Sequence, residues 1–189
     1  VKLDPLLDLK NKKYLSDEDM VAYQKRNLLD IKSPNPSVET FLHAFLPFKY
    51  VDHTHADAVL NITNRPGGLN FSKKVFGNKV SIVPYVMPGF MLAKKIHEIY
   101  SKNPNINCLI LMNHGIFTFA NNCKEAYDLM ISYVSKAEKA IKKLKSKKIK
   151  QIKKFSTKFN PHDVAPIIRG LLSENKDQKF IINYRLNKH

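Results

Sequence analysis

The 189-residue chain has no tryptophan, two cysteines, six glycines and four arginines. Two cysteines cannot build a disulfide framework. Cys108 lies in an apolar run and Cys123 at an expected helix start, which fits reduced thiols. No stretch of glycines at G-x-G-x-x-G spacing exists, so the chain carries no dinucleotide-binding fingerprint. Long apolar runs are missing too. None approaches the roughly 20 residues that span a bilayer, and the opening "VKLDPLLDLKNKK" lacks the apolar centre of a secretion signal. A soluble, cytoplasmic protein without membrane contact is expected.

The shortage of arginine also decides how to read the net charge of +16. A basic protein invites nucleic acid, since neutralising phosphates releases counterions. Eleven of the lysines, however, fall between Lys136 and Lys158, at the solvent side of a helix and its fraying end. Arginine, whose fork pairs with phosphates and base edges, is scarce. Nucleic acid is therefore not the expected partner.

With 43% hydrophobic and 25% charged residues the chain can bury a substantial core. Ser16 caps a helix over "LSDEDMVAYQKRNLLD", with acids in its first turn. "PSVETFLHAFL" starts a short helix that places Glu39 in its first turn and Phe41, Leu42, Phe45 and Leu46 on one side. "FKYVDHTH" reads as a strand, "ADAVLNITN" as helical, "RPGGLNFSKKVFG" as a loop and small helix, and "KVSIVPYV" as a strand. A helix from Phe90 follows, then two strands in "NCLILMNHGIFTF" broken at His114-Gly115. Asn122 and Glu125 have capping-box spacing at the start of the longest helix. "NPHDVAPIIRGLLS" suggests a further short helix and "KFIINYR" a last strand. Strands interspersed with helices predict a layered α/β fold with a central sheet.

On a strand, His53 and His55 point to the same face, because the side-chain period is two. On a helix they would be about 200° apart and could not converge on one ion. A catalytic zinc takes three protein ligands and keeps a position open. His114 is the best third ligand, since it ends the most apolar strand and Gly115 lets the backbone turn sharply beside it. His43 and His97 fall on helices among core positions, His162 in a loop and His189 at the end, where packing or exposure explains them. Ordinary polar burial remains the alternative for the trio. A first-turn acid stabilising its helix dipole remains the alternative for Glu39.

"NPSVETFLHAFLPFKYVDHTHADAVL", "VPYVMPG" and "LILMNHGIFTF", in this order, resemble the class II aldolase and adducin head domain family. Within it the likeness is strongest to the aldolase half of long bacterial proteins that join a rhamnulose-1-phosphate aldolase to a short-chain alcohol dehydrogenase. It runs from about Asp17 to Lys143, and "IIRGLLS" resembles the segment after that module. The resemblance implies an α-β-α sandwich with a mainly antiparallel central sheet, a Zn2+ site (or another divalent metal) on His53, His55 and His114, and Glu39 as the catalytic carboxylate. It implies Ser37 as a contact to the substrate phosphate, although that hydroxyl could equally cap the helix. The implied reaction is retro-aldol cleavage of a deoxyketose 1-phosphate. Epimerases and dehydratases of the family use the same metal site, and adducin-like heads are non-catalytic. Homotetramers are expected from the resemblance, with a small sugar phosphate as the bound partner.

Family members open with a glycine-rich, phosphate-cradling loop, whereas here no glycine precedes Gly67. The start at Val1 and the end at "NYRLNKH" lead us to expect a piece of a longer chain, truncated ahead of an aldolase-like domain over residues 1–155. Residues 156–189 would then lead towards a downstream module.

Overall fold

Alternation along two apolar strands sets the architecture. The computed structural model describes residues 1–144, 160–173 and 181–183. Its strands are β1 (Tyr50–Thr54), β2 (Val80–Val83), β3 (Cys108–Leu111) and β4 (Gly115–Ala120), joined in one sheet of order β1-β4-β3-β2. The β1/β4 and β3/β4 ladders are antiparallel and β2/β3 is parallel, so the sheet is mainly antiparallel.

β3 and β4 are buried along their whole length and therefore feed both faces of the sheet. Leu109, Leu111, Phe117 and Phe119 point to one core. Helices α3 (Thr40–Phe45) and α6 (Phe90–Lys102) cover it, with Met20 of α2 (Asp17–Arg26) and Leu6 of α1 (Leu3–Asp8) at its margin. Cys108, Ile110 and Ile116 point the other way, under α4 (Asp57–Thr63), α5 (Gly68–Phe76) and α7 (Cys123–Lys142). The result is the expected α-β-α sandwich.

Side-chain caps expected from the sequence open α2 and α7. The Ser16 hydroxyl accepts the Asp19 N–H at 3.1 Å, and the Asn122 side chain accepts the Glu125 N–H at 3.2 Å. Phe41, Phe45 and Phe90 meet edge to face with centroids 5.4 to 6.1 Å apart, which locks α3 against α6. Helix α1 was not announced by periodicity, since six residues fall short of two turns. Both cysteines are free; burial pushes the Cys108 thiol up, and Cys123 is exposed. Lys136, Lys139, Lys142 and Lys143 are exposed as expected, and the rest of the lysine run lies outside the described residues.

The chain divides into two units, Val1–Lys145 and Ser146–His189. The expected boundary at residues 155–156 lies outside the described residues, as does His189. In the second unit the Asn160 side chain accepts the His162 N–H at 3.0 Å and caps α8 (Pro161–Leu172). His162 therefore sits in a helical first turn rather than in a loop. Most of the expected last strand lies outside the described residues, and residues 181–183 within it form no strand. No described helix is long and apolar enough to cross a membrane.

Candidate metal centre

The turn before α3 is held by its own side chains. The Ser37 hydroxyl accepts the Glu39 N–H at 3.1 Å, and the Ser37 carbonyl accepts the Thr40 N–H at 3.1 Å and the Thr40 hydroxyl at 2.7 Å. Gln24, fully buried on α2, adds a bond from Nε2 to the same carbonyl at 3.2 Å. Glu39 proves to be the N-cap residue of α3 rather than a member of its first turn, and its side chain makes no capping bond. The reason is competition: the carboxylate reaches the histidines instead.

Glu39 Oε1 lies 2.7 Å from His114 Nε2, 3.2 Å from His53 Nε2 and 3.8 Å from His55 Nε2. His53 Nε2 and His55 Nε2 are 2.9 Å apart. His55 is the first residue past β1, yet the two rings still converge, with centroids 4.7 Å apart. All three candidate ligands and Glu39 are thus brought together from the end of β1, the turn just before β4 and the N-cap of α3. His43 is not part of the cluster: it sits on α3 with its ring edge-on to Phe117. His97, half-buried on α6, packs edge-on to Phe45.

The order of residues at the β3–β4 turn needs one correction. Gly115 does not take a positive φ; the left-handed position is Asn113, at φ 59°. The His114 N–H bonds the Leu111 carbonyl at 3.2 Å across that turn. Asparagine tolerates the left-handed region better than most residues. An Asn113→Gly chain should unfold at nearly the same urea concentration as the parent. Asn113→Val should be destabilised by roughly 1–2 kcal/mol, the usual penalty for a side chain in this conformation, read as a lower urea midpoint.

Does this donor set suit a metal? The Ile116 carbonyl can only accept, so His53 Nδ1, 2.9 Å away, donates to it and Nε2 keeps its lone pair. That lone pair faces a carboxylate oxygen at 3.2 Å, an arrangement of two acceptors that a cation would relieve. Bonds of about 2.0–2.2 Å to one tetrahedral ion would set donors roughly 3.3 Å apart, and the four donor atoms all lie within 4.8 Å of one another. His114 Nδ1 is buried without a partner. The side chains of His53, His114 and Glu39 are 9%, 7% and 17% exposed, against 59% for His55. Three members of the cluster are therefore largely buried, and it meets solvent through His55.

Burial pushes the His53 imidazole below its ordinary pKa of 6.5, against the opposing pull of the Ile116 carbonyl and Glu39. Burial, with repulsion from Lys10, does the same to His97. Unfolding therefore takes up protons as the pH drops below 6.5, so the stability these rings contribute is full above that pH and lost beneath it. Urea midpoints of the chelated, metal-free protein should fall between pH 7.5 and pH 5.5. An unchanged midpoint would show that neither ring is desolvated in solution.

A cluster of three imidazoles and a carboxylate on an α-β-α sandwich defines a class of domain. Residues 10–141 match the family described as Class II Aldolase and Adducin N-terminal domain, and the chain belongs to that family. It carries a Glu/His cluster able to hold a metal. It is 37% identical over 192 residues to the uncharacterized oxidoreductase YuxG of Bacillus subtilis strain 168, matching 97% of this chain and 27% of that protein. The chain thus spans about a quarter of that relative's length. It also resembles the solved N-terminal class II aldolase domain of a conserved protein from Thermoplasma acidophilum, at 44% identity and a TM-score of 0.69. That likeness covers 75% of this chain and 65% of the other.

Proposed function

We propose that this domain is a zinc-dependent aldolase module that cleaves a deoxyketose 1-phosphate, in the first place rhamnulose 1-phosphate, to dihydroxyacetone phosphate and lactaldehyde. The observation that carries the reading is Glu39 Oε1, within 3.8 Å of three imidazole nitrogens. His53, His55 and His114 would hold the ion. When bound, it supplies a Lewis acid that polarises the ketose oxygens and offsets the negative charge gained during bond cleavage.

In the cleavage direction the hydroxyl on the fourth carbon loses its proton, and the bond between the third and fourth carbons breaks. Its electron pair flows towards the carbonyl, and the third carbon is then protonated. Glu39 is the group in this site that can carry that proton, because its carboxylate lies among the histidines, 2.7 Å from His114 Nε2, and makes no capping bond to its own helix. Ser37 is exposed two residues away, and its hydroxyl is our candidate contact for the substrate phosphate. The His53 ring, held by its Nδ1–H bond, keeps Nε2 aimed at the reacting side.

The complete donor set favours catalysis over a binding-only role. An epimerase or dehydratase would use the same donors, and product analysis separates them. We further read the domain as part of a homotetrameric, cytoplasmic enzyme. The similarity to a much longer oxidoreductase supports a layout in which a dehydrogenase module follows the aldolase. Metal analysis of the protein as purified, paired with turnover of rhamnulose 1-phosphate before and after chelation, tests the proposal. Cleavage should vanish on chelation and return with added Zn2+. Products other than an aldehyde and a triose phosphate would reassign the reaction, and turnover that survives complete metal removal would reject it.

A further inference from the structure

The metal ligands of β1 are not positioned by β1 itself. His53 and His55 come from an edge strand and the residue after it, and what surrounds their rings is the start of the neighbouring strand. Three consecutive residues of β4 each impose a different constraint. Gly115 leaves room: a Cβ there would meet the Thr54 carbonyl oxygen at 2.6 Å, His55 Cδ2 at 3.0 Å and His53 Cε1 at 3.1 Å. Ile116 offers its carbonyl to His53 Nδ1 at 2.9 Å. Phe117, fully buried and paired with His53 in register, lies flat on the His53 ring with centroids 4.0 Å apart and planes 14° apart. His114, directly before them, is the third imidazole.

We infer that Gly115 and Phe117 are positioning residues for the metal centre: they set the spacing and plane of the two β1 imidazoles without touching the ion or the substrate. The inference rests on the metal-site reading above. An imidazole free to rotate must be reoriented each time it binds. One clamped between a stacked ring and a carbonyl acceptor is already aimed, and loss of such supporting contacts typically weakens metal affinity about 10- to 100-fold. The contact with Thr54 is backbone to backbone, so a methyl at Gly115 forces the end of β1 away from β4 and carries both rings with it. Phe117 acts differently, since leucine in its place keeps an apolar core residue while removing the flat surface under His53 and the ring contact with His43.

Two variants of the full chain, Gly115→Ala and Phe117→Leu, test this by Co2+ titration, with the visible absorption of bound Co2+ reporting the ligand field. Far-UV circular dichroism identifies which variants are folded. In each folded variant, Co2+ affinity should fall about tenfold or more and the visible bands should shift in position or intensity. A merely structural role would lower the urea midpoint and leave the Co2+ spectrum unchanged. Should Gly115→Ala not fold, Phe117→Leu still decides the matter for its own contact, and substitution to methionine there gives a second, folded-core comparison. Parental affinity and spectrum in the folded variants would overturn the inference while leaving the metal site standing. Failure of the parent protein to bind Co2+ or Zn2+ would remove both together.

Discussion

Glu39→Gln is expected to abolish measurable retro-aldol cleavage while the protein stays folded and binds metal. Glutamine keeps the length and shape of the side chain but cannot accept a proton from carbon or return one. Removing a well-placed acid–base group usually lowers the rate roughly 10²- to 10⁴-fold. The substitution should spare the fold because the Glu39 side chain makes no bond to its own helix. It should spare the imidazoles too, since the His53 ring is held by the Ile116 carbonyl and the Phe117 ring. The decisive pair of measurements is therefore kcat and metal content on the same preparation. A large loss of kcat with metal retained supports proton transfer by Glu39. Loss of metal in step with activity would make Glu39 chiefly a ligand, and unchanged kcat would remove it from the reaction altogether.

The largest effect on stability should come from Phe41→Ala. Phe41 is fully buried and meets Phe45 and Phe90 edge to face, so it ties α3 to α6 two residues after the Glu39 carboxylate. Truncating a buried phenylalanine to alanine typically costs about 3–5 kcal/mol, made up of lost transfer energy and the cavity left behind. For a chain of this size that corresponds to a drop in Tm of roughly 10 °C. Differential scanning calorimetry reads the shift directly. Because α3 carries Glu39 at its N-cap, the same variant should also lose activity at temperatures where it remains folded. A small Tm change would mean that α6 closes over the gap.

These two residues also show how far the sequence could be read. The apolar cluster of Phe41, Leu42, Phe45 and Leu46 follows from helical spacing, and all four are buried. The order of strands and helices was legible because hydrophobic period and capping residues are local signals. His53, His55 and His114 could be named because imidazoles at those places in the strands can converge on one ion, Glu39 only through the family resemblance, and the four do meet in space. What escaped has no side-chain signature. The Ile116 carbonyl is a backbone group that every residue possesses. Phe117 reads as one more core aromatic until the strand register sets it opposite His53. The roles around His114 were misread for the same reason. A glycine suggests a turn, yet the backbone bends at Asn113, and Gly115 is needed for closeness rather than for curvature. Glu39 was expected one position deeper in its helix because a first-turn acid is the commoner arrangement, and long-range contacts with the histidines overrode it.

The cluster joins parts of the chain that lie far apart in sequence: Glu39 and His114 are 75 positions apart. An ion held by His53, His55 and His114, the first and last of them 61 positions apart, would act as a cross-link closing a long loop. A covalent link across that many residues restricts the denatured ensemble by ~4–5 kcal/mol. A coordination bond gives up part of this to whatever the unfolded histidines can still bind. In a protein whose two cysteines remain free, the centre proposed for catalysis would thus also be a reversible staple.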